Sequence, residues 1–300
     1  MSLKSIKFLI PVALIILCIS CQEDKSQDVP EPVFETISAE KFVLPAIPDS
    51  IEFCGQIVYF DDFDMRERLD KELIVNTFYH SSTIQGLKRA NRYFGDIGIA
   101  LTEAGIPEDF KYLCLIESGL TQAVSPAGAR GFWQFMPATA KEYDLKINKE
   151  VDERLNIQKS TLAACTYLNN ANERFNDWVL TAASYNMGMG GVANAMESQE
   201  VDSYFDLYLS SETSRYVFRI LALKIIHENQ EAYGFNSEEL ELYEPIQTRS
   251  IEVNETIENL KHWAVENGSN YRKLRILNPW IIGNKLTCKE GEVLTIELPE

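Results

Sequence analysis

One acid in this chain stands where it could hold a proton at neutral pH. Glu117 closes the apolar run Lys-Tyr-Leu-Cys-Leu-Ile of residues 111–116 and is followed by Ser118 and Gly119. A carboxyl at the end of a hydrophobic helix is poorly solvated, so its charged form is disfavoured and it suits general acid catalysis, such as cleavage of a glycosidic bond. Two later segments sharpen the expectation: Ser125-Pro-Ala-Gly-Ala-Arg-Gly-Phe-Trp-Gln-Phe-Met-Pro137 and Ala183-Ser-Tyr-Asn-Met-Gly-Met-Gly-Gly191. Together the three read as an active-site cleft. Hydrolytic glycosidases usually set two carboxylates across the sugar ring. Residues 125–137 contain neither Asp nor Glu, and the next acid is Glu142. One carboxyl suffices if the substrate brings its own nucleophile, as the 6-hydroxyl of N-acetylmuramic acid can. The acid would protonate the leaving oxygen and then take the proton of that hydroxyl, giving a 1,6-anhydro sugar. The attacking group is already tethered to the reacting ring, which favours this route.

The elements that must position these residues are mostly helical. Residues 66–78 and 83–104 carry helical periodicity, and Gly105-Ile-Pro107 interrupts it. Pro107 is expected to open the next helix, with Asp109 in its first turn and Glu117 at its end. Leu155, Leu162, Cys165, Leu168 and Phe175 follow one apolar stripe, and Tyr216, Ile220, Leu223 and Ile226 another, so each segment should bury one face as core. Alternation over residues 51–60 hints at a short extended stretch. After Tyr233-Gly234 the order becomes extended (246–253), helical (257–267), helical (271–277) and extended (292–298), punctuated by Gly268, Pro279 and Gly291. The expected fold class is mainly α, with a small α+β module of βααβ order at the C-terminal end.

Length and composition allow a real core over more than one domain. The formal charge of -17 argues against nucleic acid as a partner, and a solvated acidic surface accounts for it. Lys4 and Lys7 precede an apolar stretch over residues 8–19, the length of a signal-peptide core and short for a membrane span. It ends in Cys18-Ile-Ser-Cys21, which resembles a bacterial lipoprotein box, making Cys21 the expected lipid anchor; an ordinary signal peptide or an uncleaved anchor is the alternative. Residues 22–32 are polar, acidic and proline-containing, as a tether should be. Cys54, Cys114, Cys165 and Cys288 fit no zinc spacing, so no metal is expected. Their pairing stays open, with Cys114 and Cys165 favoured as buried thiols. His80, His227 and His262 have no nucleophile partner in the sequence, and a Ser-His-Asp hydrolase finds no support.

The three segments resemble the family 1 lytic transglycosylases, most nearly their membrane-bound type D branch, over residues 51–234. The resemblance implies a lysozyme-like helical catalytic domain that cuts the β-1,4 bond between N-acetylmuramic acid and N-acetylglucosamine in peptidoglycan, without a cofactor. Glu117-Ser118 matches the family's Glu-Ser motif, which implies Glu117 as the acid/base and Ser118 as a residue orienting it. Gly131-Phe-Trp-Gln134 matches its Gly-Leu-Met-Gln-like element, with Gln134 as a sugar-binding residue. Ala183-Ser-Tyr-Asn-Met-Gly188 matches its Ala-Tyr-Asn-Gly element, placing Tyr185 and Asn186 beside the reacting sugar, and Glu212 and Tyr216 fall on a Glu-Thr…Tyr-Val pattern set against substrate. Ser125 and Gly131 complete the expected substrate-binding set. Glu255-Thr-Ile-Glu-Asn-Leu260, Asn278-Pro279 and Gly291-Glu-Val-Leu-Thr-Ile296 resemble a divergent LysM domain, a family that binds N-acetylglucosamine-containing glycans; Val253-Asn-Glu-Thr256 replaces its usual Gly-Asp-Thr turn.

The expected organisation is a lipoprotein signal peptide (1–20), a tether (21–50), the lysozyme-like domain (51–238) and the LysM-like module (244–300). The product is expected to be a monomer at the bacterial outer membrane, facing the periplasm, with peptidoglycan strands as partner. Two other readings remain open: a wall-binding lipoprotein without turnover, and a hydrolytic lysozyme. Individual residues have plainer readings as well. Trp133 can be core or a stacking platform, Tyr185 can be an ordinary core tyrosine, and Glu212 can cap the helix that begins near Thr213.

Overall fold

The computed structural model describes residues 44–236 and 239–300. The expected signal peptide, Cys21 and residues 21–43 of the tether lie outside the described residues. The described chain opens with an antiparallel hairpin, β1 (Ser50–Phe53) and β2 (Gln56–Tyr59), paired from Ser50 opposite Tyr59 to Phe53 opposite Gln56. Cys54 and Gly55, both at positive φ, form its two-residue turn. The extended stretch expected over residues 51–60 is therefore two short strands.

Helices follow. α1 (Phe63–Phe78) is capped by Asp62, whose carboxylate accepts from the backbone N–H of Asp64 and Met65. α2 (His80–Glu103) buries Leu87, Ala90, Phe94, Ile97 and Leu101 along one face at helical spacing. α3 (Phe110–Ser118) is apolar all round and buried from Tyr112 to Ile116, as a helix in the middle of a core should be. It starts three residues after Pro107. Residues 107–109 instead form a tight turn in which Phe110 N–H donates to Pro107 O at 3.1 Å. Asp109 makes no side-chain cap; its carboxylate accepts from Cys54 N–H at 2.7 Å and from Lys224 Nζ at 2.5 Å, tying the hairpin to the helical core.

The chain continues through α4 (Pro137–Glu142), α5 (Ile157–Phe175), α6 (Trp178–Met187), α7 (Met189–Gln199) and α8 (Ser211–Glu228). Asn156, Asp177 and Ser210 cap α5, α6 and α8 by accepting the N–H of Lys159, Leu180 and Thr213. Ser210, not Glu212, is thus the cap of α8. On α5 the buried face runs through Thr161, Ala164, Cys165 and Leu168, while Leu162 is 58% exposed and drops out of the expected stripe. Short 3-10 turns at Glu153–Leu155 and Tyr204–Asp206 lie between these helices, and another at Gln230–Tyr233 follows α8.

The C-terminal module has the expected βααβ order. β3 (Thr248–Val253) pairs antiparallel with β4 (Leu294–Pro299), and α9 (Leu260–Glu266) and α10 (Tyr271–Leu277) lie between them in sequence. Leu260, Ala264, Leu274, Ile281, Ile296 and Leu298 form its core, and Val151 and Leu155 of the helical region pack into the same cluster. Mainly α with a small α+β module is the observed fold class. Among the described residues no helix is long and apolar enough to cross a membrane.

Candidate active site

Glu117 lies in the last turn of α3, half-buried, and accepts a hydrogen bond at Oε1 from the Tyr216 hydroxyl of α8. Burial pushes its carboxyl above the usual carboxylate range. The Tyr216 hydrogen bond and the positive charge of Arg219 pull the other way, and the negative charge of Glu212 adds to the upward shift. Burial prevails, so the acid form persists to higher pH than in water. The backbone around Glu117 is fixed from two sides. Arg219 Nη2 donates to Ile116 O at 3.2 Å, and Arg89 Nε donates to Gly119 O at 2.6 Å. Gly119 ends the helix in the left-handed conformation, its N–H donating to Leu115 O.

Because the Tyr216 hydrogen bond favours the carboxylate, removing it should raise the Glu117 pKa further. In Tyr216→Phe, the carboxyl titration of Glu117 followed by carbon NMR is expected to move to higher pH. A midpoint that stays put or falls would mean that this hydroxyl does not hold the charge.

Tyr185 sits at the end of α6 close enough for the Glu117 charge to raise its own pKa, after burial. Its hydroxyl donates to Trp133 O at 2.8 Å, joining α6 to the 125–137 loop. Asn186 Nδ2 donates to Glu212 Oε1 at 3.3 Å, linking the end of α6 to the first turn of α8. Glu117, Tyr185, Asn186, Glu212 and Tyr216 are thus gathered where α3, α6 and α8 meet. A second carboxylate does stand in this group, which the local sequence around Glu117 did not suggest.

The remaining expected residues make local hydrogen bonds, Ser118 within α3 and the others in the 125–137 loop. The Ser118 hydroxyl donates to Cys114 O at 3.4 Å. Ser125 Oγ accepts from Ala129 N–H, and Ser125 O from Gly128 N–H, closing a turn. Gln134, at positive φ, donates from Nε2 to Gly131 O at 2.8 Å and to Ala123 O at 3.1 Å. Gly131 is also at positive φ, and a Cβ there would lie 2.0 Å from Arg154 O, so only glycine permits this approach. Trp133 is wholly buried and its indole N–H donates to Thr161 Oγ1 at 2.9 Å. It is core, and the stacking option closes.

Sequence reasoning missed Arg219, Arg89 and Arg154. Arg219 carried a usable signal, since it lies three positions after Tyr216 on one helix face; the other two carried none. The four described cysteines are free thiols, and no cluster of three or more His, Cys, Asp or Glu among the described residues could hold a metal ion.

Two segments of the chain match known protein families. Residues 99–206 match the model of the Transglycosylase SLT domain, and residues 249–300 that of the Soluble lytic transglycosylase C-terminal LysM-like domain. Over these residues the chain carries an SLT transglycosylase domain and a LysM-like domain. Membrane-bound lytic murein transglycosylase D of Escherichia coli (strain K12) is 33% identical over 176 residues, 57% of this chain and 38% of that protein. Its counterpart in Escherichia coli O6:H1 gives the same figures. The chain therefore spans well under half the length of these relatives. The X-ray structure of an inactive mutant of lytic transglycosylase Slt from Pseudomonas aeruginosa is 17% identical, covering 56% of this chain and 33% of that one at a TM-score of 0.38.

Proposed function

We propose that this protein is a lytic transglycosylase that cleaves the β-1,4 bond between N-acetylmuramic acid and N-acetylglucosamine in peptidoglycan and leaves 1,6-anhydro ends. The observation that carries the reading is the half-buried Glu117, its carboxyl raised by burial and held at one oxygen by Tyr216. With Oε1 engaged by the tyrosine, Oε2 is the oxygen that carries the proton toward the sugar. Glu117 gives this proton to the glycosidic oxygen as the C1–O4 bond breaks. The muramic 6-hydroxyl oxygen then bonds to C1, and its proton returns to the carboxylate, so the acid is regenerated without water. Arg219 and the Tyr216 hydroxyl stabilise the transient carboxylate between the two transfers.

Glu212 favours a second reading. A carboxylate near Glu117 and held by Asn186 is what a hydrolase would use to activate water. Mass spectrometry of muropeptides released from purified peptidoglycan separates the two. Anhydro products, lighter by one water, are expected; reducing ends alone would defeat the transglycosylase reading. Binding of glycan with no released product would instead favour the wall-binding lipoprotein.

The sequence at Cys21 supports lipid anchoring in the envelope, and Gln22 after it supports the outer membrane, facing the periplasm. Fatty-acid labelling that is lost in Cys21→Ala is the expected result. Label retained in that variant would refute the anchor.

A further inference from the structure

The C-terminal module meets the helical region along residues 150–155, and the other side of the same segment holds the 125–137 loop. On the module side, Val151 forms an antiparallel bridge with Ile281, and Asp152 N–H donates to Trp280 O at 2.9 Å. Ile282 and Gly283 both donate their N–H to Glu150 O, at 2.8 and 2.9 Å. A Cβ on Gly283 would lie 2.9 Å from Glu150 Cα, so the backbones touch there. The Glu150 carboxylate accepts from the N–H and hydroxyl of Thr287. Val151 and Leu155 complete the module's own core. A glycan-binding appendage needs only a flexible tether; this joint is a shared core with strand-like pairing.

On the loop side the contacts converge on Arg154, which is 4% exposed. Its Nη1 donates to Gly128 O at 2.9 Å and to Phe135 O at 3.1 Å, spanning both arms of the loop. Its Nε and Nη2 hold the Asp152 carboxylate at 2.9 and 2.8 Å, a bidentate pair buried with it. Asp152 also accepts from Arg130 within the loop at 3.4 Å. Gln122 Nε2 donates to Leu155 O, and Gly131 rests against Arg154 O. A planar fork with five donors can fix two carbonyls and a carboxylate at once, which a lysine cannot.

We propose that the C-terminal module positions the 125–137 loop through residues 150–155, with Arg154 as the positioning residue at the joint. This rests on the reading of that loop as one wall of a glycan-cleaving site. The module then acts as a buttress of the catalytic domain, and a disturbance of its packing on Val151 or Glu150 reaches the loop through Asp152 and Arg154.

The test uses the full chain, with Arg154→Met and Arg154→Lys on the loop side and Gly283→Ala on the module side. Hydrogen exchange is read at the N–H groups of Gly128, Ala129, Arg130 and Gly131, which donate to Ser125, Phe135 and Ala123, with α5 and α8 as controls. Arg154→Met is expected to speed exchange at these amides about tenfold, Arg154→Lys less, and Gly283→Ala about threefold, with the controls unchanged. In steady state, Arg154→Met should raise KM for peptidoglycan about tenfold while kcat stays within about threefold, and lysine should recover part of the loss. Unchanged loop exchange, or equal acceleration in α5 and α8, would overturn the proposal. So would a loss confined to kcat. If the wild-type chain releases no glycan product, the functional reading fails, and the exchange measurements still decide the positioning role.

Discussion

Glu117→Gln is expected to lower turnover of peptidoglycan about a thousandfold while leaving glycan binding in place and raising thermal stability at neutral pH. Glutamine keeps the shape and an oxygen that accepts from Tyr216, so the gathering of α3, α6 and α8 survives. An amide cannot give a proton to the leaving oxygen or recover one from the sugar hydroxyl. The stability gain follows from linkage. Burial raises the folded-state pKa of Glu117, so the folded chain binds its proton more tightly than the unfolded chain does. Folding therefore loses stability as pH rises from the unfolded value, about 4.3, toward the raised folded value, and the full penalty stands above it. Glutamine carries no such penalty. At pH 7 the variant should melt higher than the parent, and the gain should vanish below about pH 4. The same sign governs catalysis, because turnover should fall as pH rises through the raised pKa. Melting curves at pH 7 and pH 4, with turnover on purified peptidoglycan, check both halves. A variant that melts lower than the parent at pH 7, or one that retains turnover, would rule out a proton held by burial at this carboxyl.

How much of this was legible in the sequence depended on whether the signal was local. The run of residues 111–116 announced a buried helix because no polar face interrupts it. Its start is not legible, because proline fits a first helical position and a preceding turn equally well, and the bond from Phe110 N–H to Pro107 O decides for the turn. Leu162 is apolar and at helical spacing, yet Thr161 and Ala164 take the buried face of α5 and Leu162 is exposed. The βααβ order was legible from its glycine and proline punctuation. At the site, the pairing of Glu117 with Tyr216 spans 99 residues and no periodicity encodes it; only a family resemblance put the two together. Ser125 and Gln134 have side chains that suit a sugar, but the loop uses the Ser125 hydroxyl and Gln134 Nε2 for its own turns. The residue types are the same in either use, so composition could not choose. Arg89 and Arg154 donate to backbone carbonyls across the fold, and carbonyls leave no trace in a sequence.

Gly131→Ala is expected to destabilise the protein by about 3 to 5 kcal/mol, from backbone strain and steric overlap together. Its φ of 79° costs any other residue roughly 1 kcal/mol or more. The added Cβ would also lie 2.0 Å from Arg154 O, a backbone atom that no rotamer change can move aside. Arg154 has little freedom to retreat, because its guanidinium is bound to Gly128 O, Phe135 O and Asp152, and the next turn packs into the C-terminal module. Gly128 supplies the control within the same loop. Its φ of 91° demands the same unusual backbone, yet nothing lies within 4 Å of a Cβ built there. Gly128→Ala should therefore cost only the conformational part, about 1 kcal/mol. Chemical denaturation of the two variants isolates the close approach of loop and segment. A shortfall of about 2 kcal/mol or more in Gly131→Ala relative to Gly128→Ala is the expected outcome. Equal midpoints and slopes would show that residues 150–155 can recede from the loop, and the contact between Gly131 and Arg154 would then lose its place in fixing the site.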